Sequence, residues 1–118
     1  MKSRISETYN TSDGAKTIDF NSATYVVPGH PAFEARACSW HQVVVDCTAV
    51  AGTFDISIMF DGDTGFVPAY PIASVYASGT TAYQPLVLEG YFKQVKITPT
   101  GVTAGLSYTV TINSDDHN

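Results

Sequence analysis

The chain has 118 residues, a formal net charge of −5, and 14% charged residues against 44% hydrophobic ones. That length gives one domain with enough interior to fold without a disulfide or metal staple, and the low charge content excludes a coiled coil, a long solvated helix or a disordered tail as the main architecture. Six Lys and Arg residues against eleven Asp and Glu do not build the basic face that a nucleic-acid binder needs.

The N-terminal stretch MKSRISETYNTSDGAKTIDF carries basic residues with no apolar run behind them, so no secretion signal is expected. No apolar run long enough for a membrane span occurs either. Synthesis in the cytosol, no membrane contact and reduced thiols at Cys38 and Cys47 are the corresponding expectations. Residues 1–16 are polar apart from Ile5 and Tyr9, and set Lys2, Arg4 and Lys16 against Glu7 and Asp13. With little to bury, this segment is expected to form an N-terminal arm or edge strand that pairs with a neighbouring subunit, Arg4, Ile5 and Tyr9 being the assembly contacts.

Helical periodicity of useful length is absent. Val, Thr, Tyr, Ile and Phe, which fit a pleated half-buried surface, recur between turn residues spaced about 8–12 apart. Short strands are expected over 4–10, 17–20 and 24–27. Residues 40–47, WHQVVVDC, hold three successive valines, which suits a strand covered on both faces or one with a bulge. Residues 53–60, TFDISIMF, alternate cleanly: Phe54, Ile56, Ile58 and Phe60 inward, Asp55, Ser57 and Met59 outward. Asp61-Gly62 behind them is a hairpin signal, since Gly accepts φ > 0. Val67, Pro68 and Pro71 mark an edge segment, and weaker strands are expected over 72–77 and 86–89. Residues 92–98, FKQVKIT, put Val95 and Ile97 inside, with Pro99-Thr100-Gly101 as the stop. Residues 106–112, LSYTVTI, point Leu106, Tyr108, Val110 and Ile112 one way. The sum is an all-β chain: one antiparallel β-sandwich over 1–118, immunoglobulin-like or jelly-roll, with about seven to nine strands.

Chemistry-bearing residues are few. His30, His41 and His117 lack metal-ligand spacing, and satisfied or solvated roles are expected for them. Cys38 and Cys47 are an odd number of positions apart, which puts them on opposite faces of a continuous strand. Asp61-Gly62-Asp63-Thr64-Gly65 looks like half a calcium loop but lacks the later ligands and the bidentate Glu, so a turn is expected. Glu7, Glu34 and Glu89 are scattered and no Gly-rich phosphate loop occurs. No catalytic residue, metal or cofactor is expected. Tyr70, Tyr76, Tyr83 and Tyr91, with Trp40, are the aromatics from which a carbohydrate platform would be built, although core or subunit interface is the preferred reading of such rings.

Residues 52–70, GTFDISIMFDGDTGFVPAY, resemble the strand–turn–strand unit of small β-sandwich proteins in tailed-bacteriophage virions, in which an alternating strand runs into a D-G-x-T turn followed by an aromatic. Asp61-Gly62-Asp63-Thr64 supplies the turn, and Phe66 stands where Trp is more usual. Residues 89–113 are similar to the last two strands of the same kind of domain. The resemblance implies a non-enzymatic accessory virion protein, a capsid decoration (cement) protein or another small head or tail component. Such a protein binds capsid or tail subunits, forms a homo-oligomer and resides in the virion after synthesis in the host cytoplasm. Net acidity suits a place on the outer shell over contact with packaged genome. The rival expectation, from another class, is a carbohydrate- or receptor-binding β-sandwich module.

Overall fold

The computed structural model describes residues 3–21, 35–47, 52–68, 74–75 and 86–115. Among them two antiparallel sheets are formed. In the first, β1 (Ser3–Asn10), β9 (Ser107–Asp115), β3 (Trp40–Cys47) and β7 (Leu86–Glu89) lie side by side in that order. In the second the order is β2 (Lys16–Asp19), β8 (Phe92–Thr100), β4 (Thr53–Phe60), and the far edge of β4 is shared by β5 (Val67–Pro68) and β6 (Ser74–Val75). The chain is thus an all-β sandwich.

Its connectivity separates the two architectures that the sequence left open. The pairings β1–β9, β2–β8, β3–β7 and β4–β5 are those of one long antiparallel hairpin whose tip lies at β4–β5. Rolling that hairpin up adds β9–β3 and β8–β4. The result is the jelly-roll order and not the immunoglobulin one.

Alternation fills the space between the sheets. Ile5, Val43, Val45, Leu88, Val110 and Ile112 from the first sheet meet Ile18, Phe54, Ile56, Ile58, Val95 and Ile97 from the second. All the positions expected inward on β8, and Tyr108 and Val110 on β9, are buried. The paired ends of β4 and β8 approach closely where Gly52 (φ +92°) precedes β4 and Gly101 follows β8. A Cβ there would stand 2.6 Å from the Gly101 carbonyl oxygen, so only glycine fits.

Four local expectations need correction. On β4 the ladder with β8 shifts between Met59 and Phe60; Met59, expected outward, is buried outside the central cluster, and Phe60, expected inward, is 43% exposed. β8 does not stop at Thr98 but runs through Pro99, opposite Phe54; β2 has already ended opposite Ile97, so Pro99 has a neighbour strand on one side and its missing N–H breaks no ladder there. β3 is not covered on both faces: His41, Val43, Val45 and Cys47 are buried, while Gln42 and Val44 are half-buried and Asp46 is exposed. Leu106 lies just before β9 and is half-buried against the core. The strand expected over 24–27 lies outside the described residues.

The N-terminal segment is an edge strand, but it is not a separate arm. β1 pairs along its whole length with β9 of the same chain. Ile5 sits opposite Ile112 in the core, and Tyr9 packs on Tyr108 with ring centroids 5.8 Å apart. Arg4 points outward and is exposed. A 3-10 turn at Thr11–Asp13, capped by the Asn10 side chain on the Ser12 N–H, then carries the chain to the other sheet.

Candidate functional site

The register of the first sheet lines up polar residues in rows. On the core side, Ser3 lies opposite Ser114, and Ser114 opposite His41. His41 Nδ1 is 2.7 Å from Ser114 Oγ, and Nε2 is 3.0 Å from the Gly90 carbonyl oxygen. A carbonyl only accepts, so Nε2 carries the proton and Nδ1 accepts from the Ser114 hydroxyl. Phe20 and Phe92 flank the imidazole at centroid distances of 4.9 and 5.3 Å. Burial pushes the His41 pKa below its ordinary value, partly opposed by hydrogen bonds to the Gly90 and Cys38 backbone, so the ring is neutral.

A serine hydroxyl donating to a histidine oriented by a third group is also the geometry of a nucleophile and its base. Here both side chains are 0% exposed and walled by phenylalanine. The pair ties β3, β9 and the turn after β7 together, which is the satisfied role expected of His41. At the far end of this row the Ser3 hydroxyl is buried, as is the Tyr108 hydroxyl, and among the described residues neither has a hydrogen-bond partner. Burial, with Tyr9, Asp13 and Cys47 nearby, raises the Tyr108 pKa to about 12.

On the outer side, the same strands carry three rows: Arg4–Asn113–Gln42, Ser6–Thr111–Val44 and Thr8–Thr109–Asp46. They outline a groove of about 310 Å³, with Arg4 at one corner and Asp46 diagonally across from it. Asn113 Nδ2 donates to Gln42 Oε1 at 3.3 Å, and the Thr8 and Thr109 hydroxyls meet at 3.0 Å. Trp40, half-buried, alternates onto the same side of β3 as Gln42.

The other sequence candidates resolve as follows. Arg36 donates to Asp61 Oδ1 through Nε at 2.9 Å and Nη2 at 2.6 Å, so the first carboxylate of the Asp61-to-Gly65 segment is held in an ion pair. The Asp63 N–H closes the turn on the Phe60 carbonyl at 3.0 Å. Among the described residues no group of three or more His, Cys, Asp or Glu is placed to hold a metal. Cys38 and Cys47 are buried and are not joined in a disulfide. Of the aromatics proposed as a platform, Tyr91 is 55% exposed, while Tyr70, Tyr76 and Tyr83 lie outside the described residues, as do His30, His117 and Glu34. Arg4 reaches the groove; Ile5 and Tyr9 face inward and do not. Gln42, Asp46, Thr109, Thr111 and Asn113 are groove residues that the sequence reading missed. Their one signal was outward parity on β3 and β9, and it becomes a cluster only once those strands are known to be neighbours.

Compared with protein-family models, curated proteins and solved structures, the chain matches none. Fold and site together define a small jelly-roll sandwich with a sealed serine–histidine pair inside and an open polar groove on one sheet face.

Proposed function

We propose that the protein is a non-enzymatic accessory component of a tailed-bacteriophage virion, a capsid decoration (cement) or other small head or tail protein, which docks on neighbouring subunits through the free edge of β1. The observation that carries this reading is the edge itself. β1 is eight residues long, its register with β9 runs without a shift, and it is the outermost strand of its sheet among the described residues. Such an edge offers a row of unpaired N–H and C=O groups to an extended segment of another chain. It holds no proline, and its charges are Arg4 and Glu7.

Two further features support the reading. The segment that carries the virion resemblance folds as an antiparallel strand–turn–strand unit, with Ile58 opposite Val67 and Ser57 opposite Pro68. The serine–histidine pair is closed to substrate, which suits a structural role. Jelly rolls serve in capsids and in lectins alike, so the fold by itself does not choose between virion component and carbohydrate module; the edge strand favours the first. Homo-oligomer contacts would use the same edge.

Deleting the segment is the wrong test, because it strips Ile5 from the core. Proline at Ser6 and at Glu7, introduced one at a time, is the right one. Neighbouring residues of an antiparallel edge strand alternate between bonding the partner strand and pointing away, so one of the two substitutions spares the β9 ladder and blocks the free edge. The folded member of the pair is expected to lose incorporation into particles that lack the native copy. Incorporation equal to that of the unsubstituted protein contradicts the docking role.

A further inference from the structure

We propose that the outer face of the β1–β9–β3 sheet is a binding site for a neutral saccharide of one or two pyranose rings. At about 310 Å³, the groove lies at the small end of the roughly 300–1,000 Å³ range of small-molecule sites. Its lining is a saccharide's complement. The Arg4 guanidinium, the Asp46 carboxylate and the Gln42 and Asn113 amides are planar groups that take neighbouring hydroxyls in pairs, and the Thr109 and Thr111 hydroxyls both donate and accept. Val44 supplies an apolar patch at the middle row for the C–H face of a ring.

Charge selects among polar ligands. Arg4 and Asp46 cancel at opposite corners, so the groove as a whole repels neither sign and rewards a neutral polyol over an anion or a cation. The site is also ordered before anything binds. The Asn113–Gln42 hydrogen bond fixes two of its amides and still leaves the Gln42 amide protons and the Asn113 carbonyl with capacity to spare. Every lining residue stands on a strand of the sandwich, so binding has little loop to immobilise. Trp40, one alternation beyond Gln42 on β3, extends the face at the end where a second ring would lie.

A second copy of this chain fits the face less well, because interface centres are apolar and depleted of charge, whereas here Val44 is surrounded by polar and charged side chains. The inference does not rest on the docking role of β1: one uses the backbone edge, the other the side-chain face.

The test is an NMR titration of the full chain with maltose, cellobiose, lactose and N,N′-diacetylchitobiose, observing the side-chain amides of Gln42 and Asn113. At least one of these sugars is expected to shift those amides with a dissociation constant near ~1 mM. Arg4→Ala and Asp46→Ala, both at outward positions that leave the core intact, should each weaken binding about tenfold or more, and Thr17→Ala on the opposite sheet should not. The proposal is overturned by three results: amides unmoved by every sugar at about 50 mM; equal binding by the Arg4 and Asp46 variants; or self-association that Arg4→Asp abolishes and the added Asp46→Arg restores, which would assign the face to a second copy.

Discussion

Two rows of polar side chains cross the same three strands, one residue apart, and become opposites. Ser3, Ser114 and His41 face the core and are fully buried; Arg4, Asn113 and Gln42 face out and border an open groove. The inner row has a hydroxyl aimed at a neutral imidazole, and nothing can reach it. The outer row lacks a nucleophile–base pair but is open to ligand. Side-chain identity sets what a row can do, and strand parity decides whether it does it, since a one-residue slip would exchange the two sets.

The sharpest way to break this comparison is on β3. Val45 is 0% exposed, whereas its neighbour Val44 lies at the groove. Val45→Asp buries an unpaired carboxylate, costing several kcal/mol out of a total of roughly 5–15, and thermal melts should find the variant unfolded or nearly so. Val44→Asp should change stability by less than about 1 kcal/mol. Similar melts for both variants would mean that the two faces are wrongly assigned.

A smaller effect distinguishes the next pair. His41→Ala empties the space between Phe20 and Phe92 and orphans the Ser114 hydroxyl and Gly90 carbonyl, for a loss of about 3–5 kcal/mol. Gln42→Ala, one residue on and facing out, should stay within about 0.5 kcal/mol. Urea titrations of the two variants measure the contrast.

Smaller again are two pH effects expected from the inner side. His41 titrates at the ordinary 6.5 when unfolded and lower when folded. The unfolded chain therefore binds the extra proton first, and stability present above pH 6.5 is lost as pH falls below it. Tyr108 works from the other end: its pKa rises from 10 to about 12 on folding, so stability declines as pH rises from 10 toward 12. Urea midpoints across these ranges should flatten at the acid end in His41→Phe and at the alkaline end in Tyr108→Phe.

Much of the sandwich was legible where a strand's own pattern is strong. β3, β4 and β7 have the bounds that their residues suggest, and the alternation of Phe54, Ile56 and Ile58 gave the core face of β4 directly. What was not legible depends on partners far away in the chain. The exposure of Phe60 sits at a ladder irregularity against β8, which β4 alone cannot announce. The run Val43–Val44–Val45 hides the parity that sends His41 inside. Residues 3–10 look too polar to be part of a sandwich until Ile5 is set against Ile112, more than a hundred residues on. The groove was hidden for the same reason: Arg4, Asn113 and Gln42 share a row only through the β1–β9 and β9–β3 pairings.

The central proposal, that β1 docks this sandwich onto a particle, is tested most directly by an electron cryomicroscopy reconstruction of tailed-phage virions assembled in the presence of the protein. The account predicts jelly-roll density at symmetry-repeated sites, with β1 running alongside an extended segment of an adjacent subunit and its free edge paired. Density for the domain with β1 turned to solvent and another face against the neighbour, or virions from which the protein is absent, would contradict it.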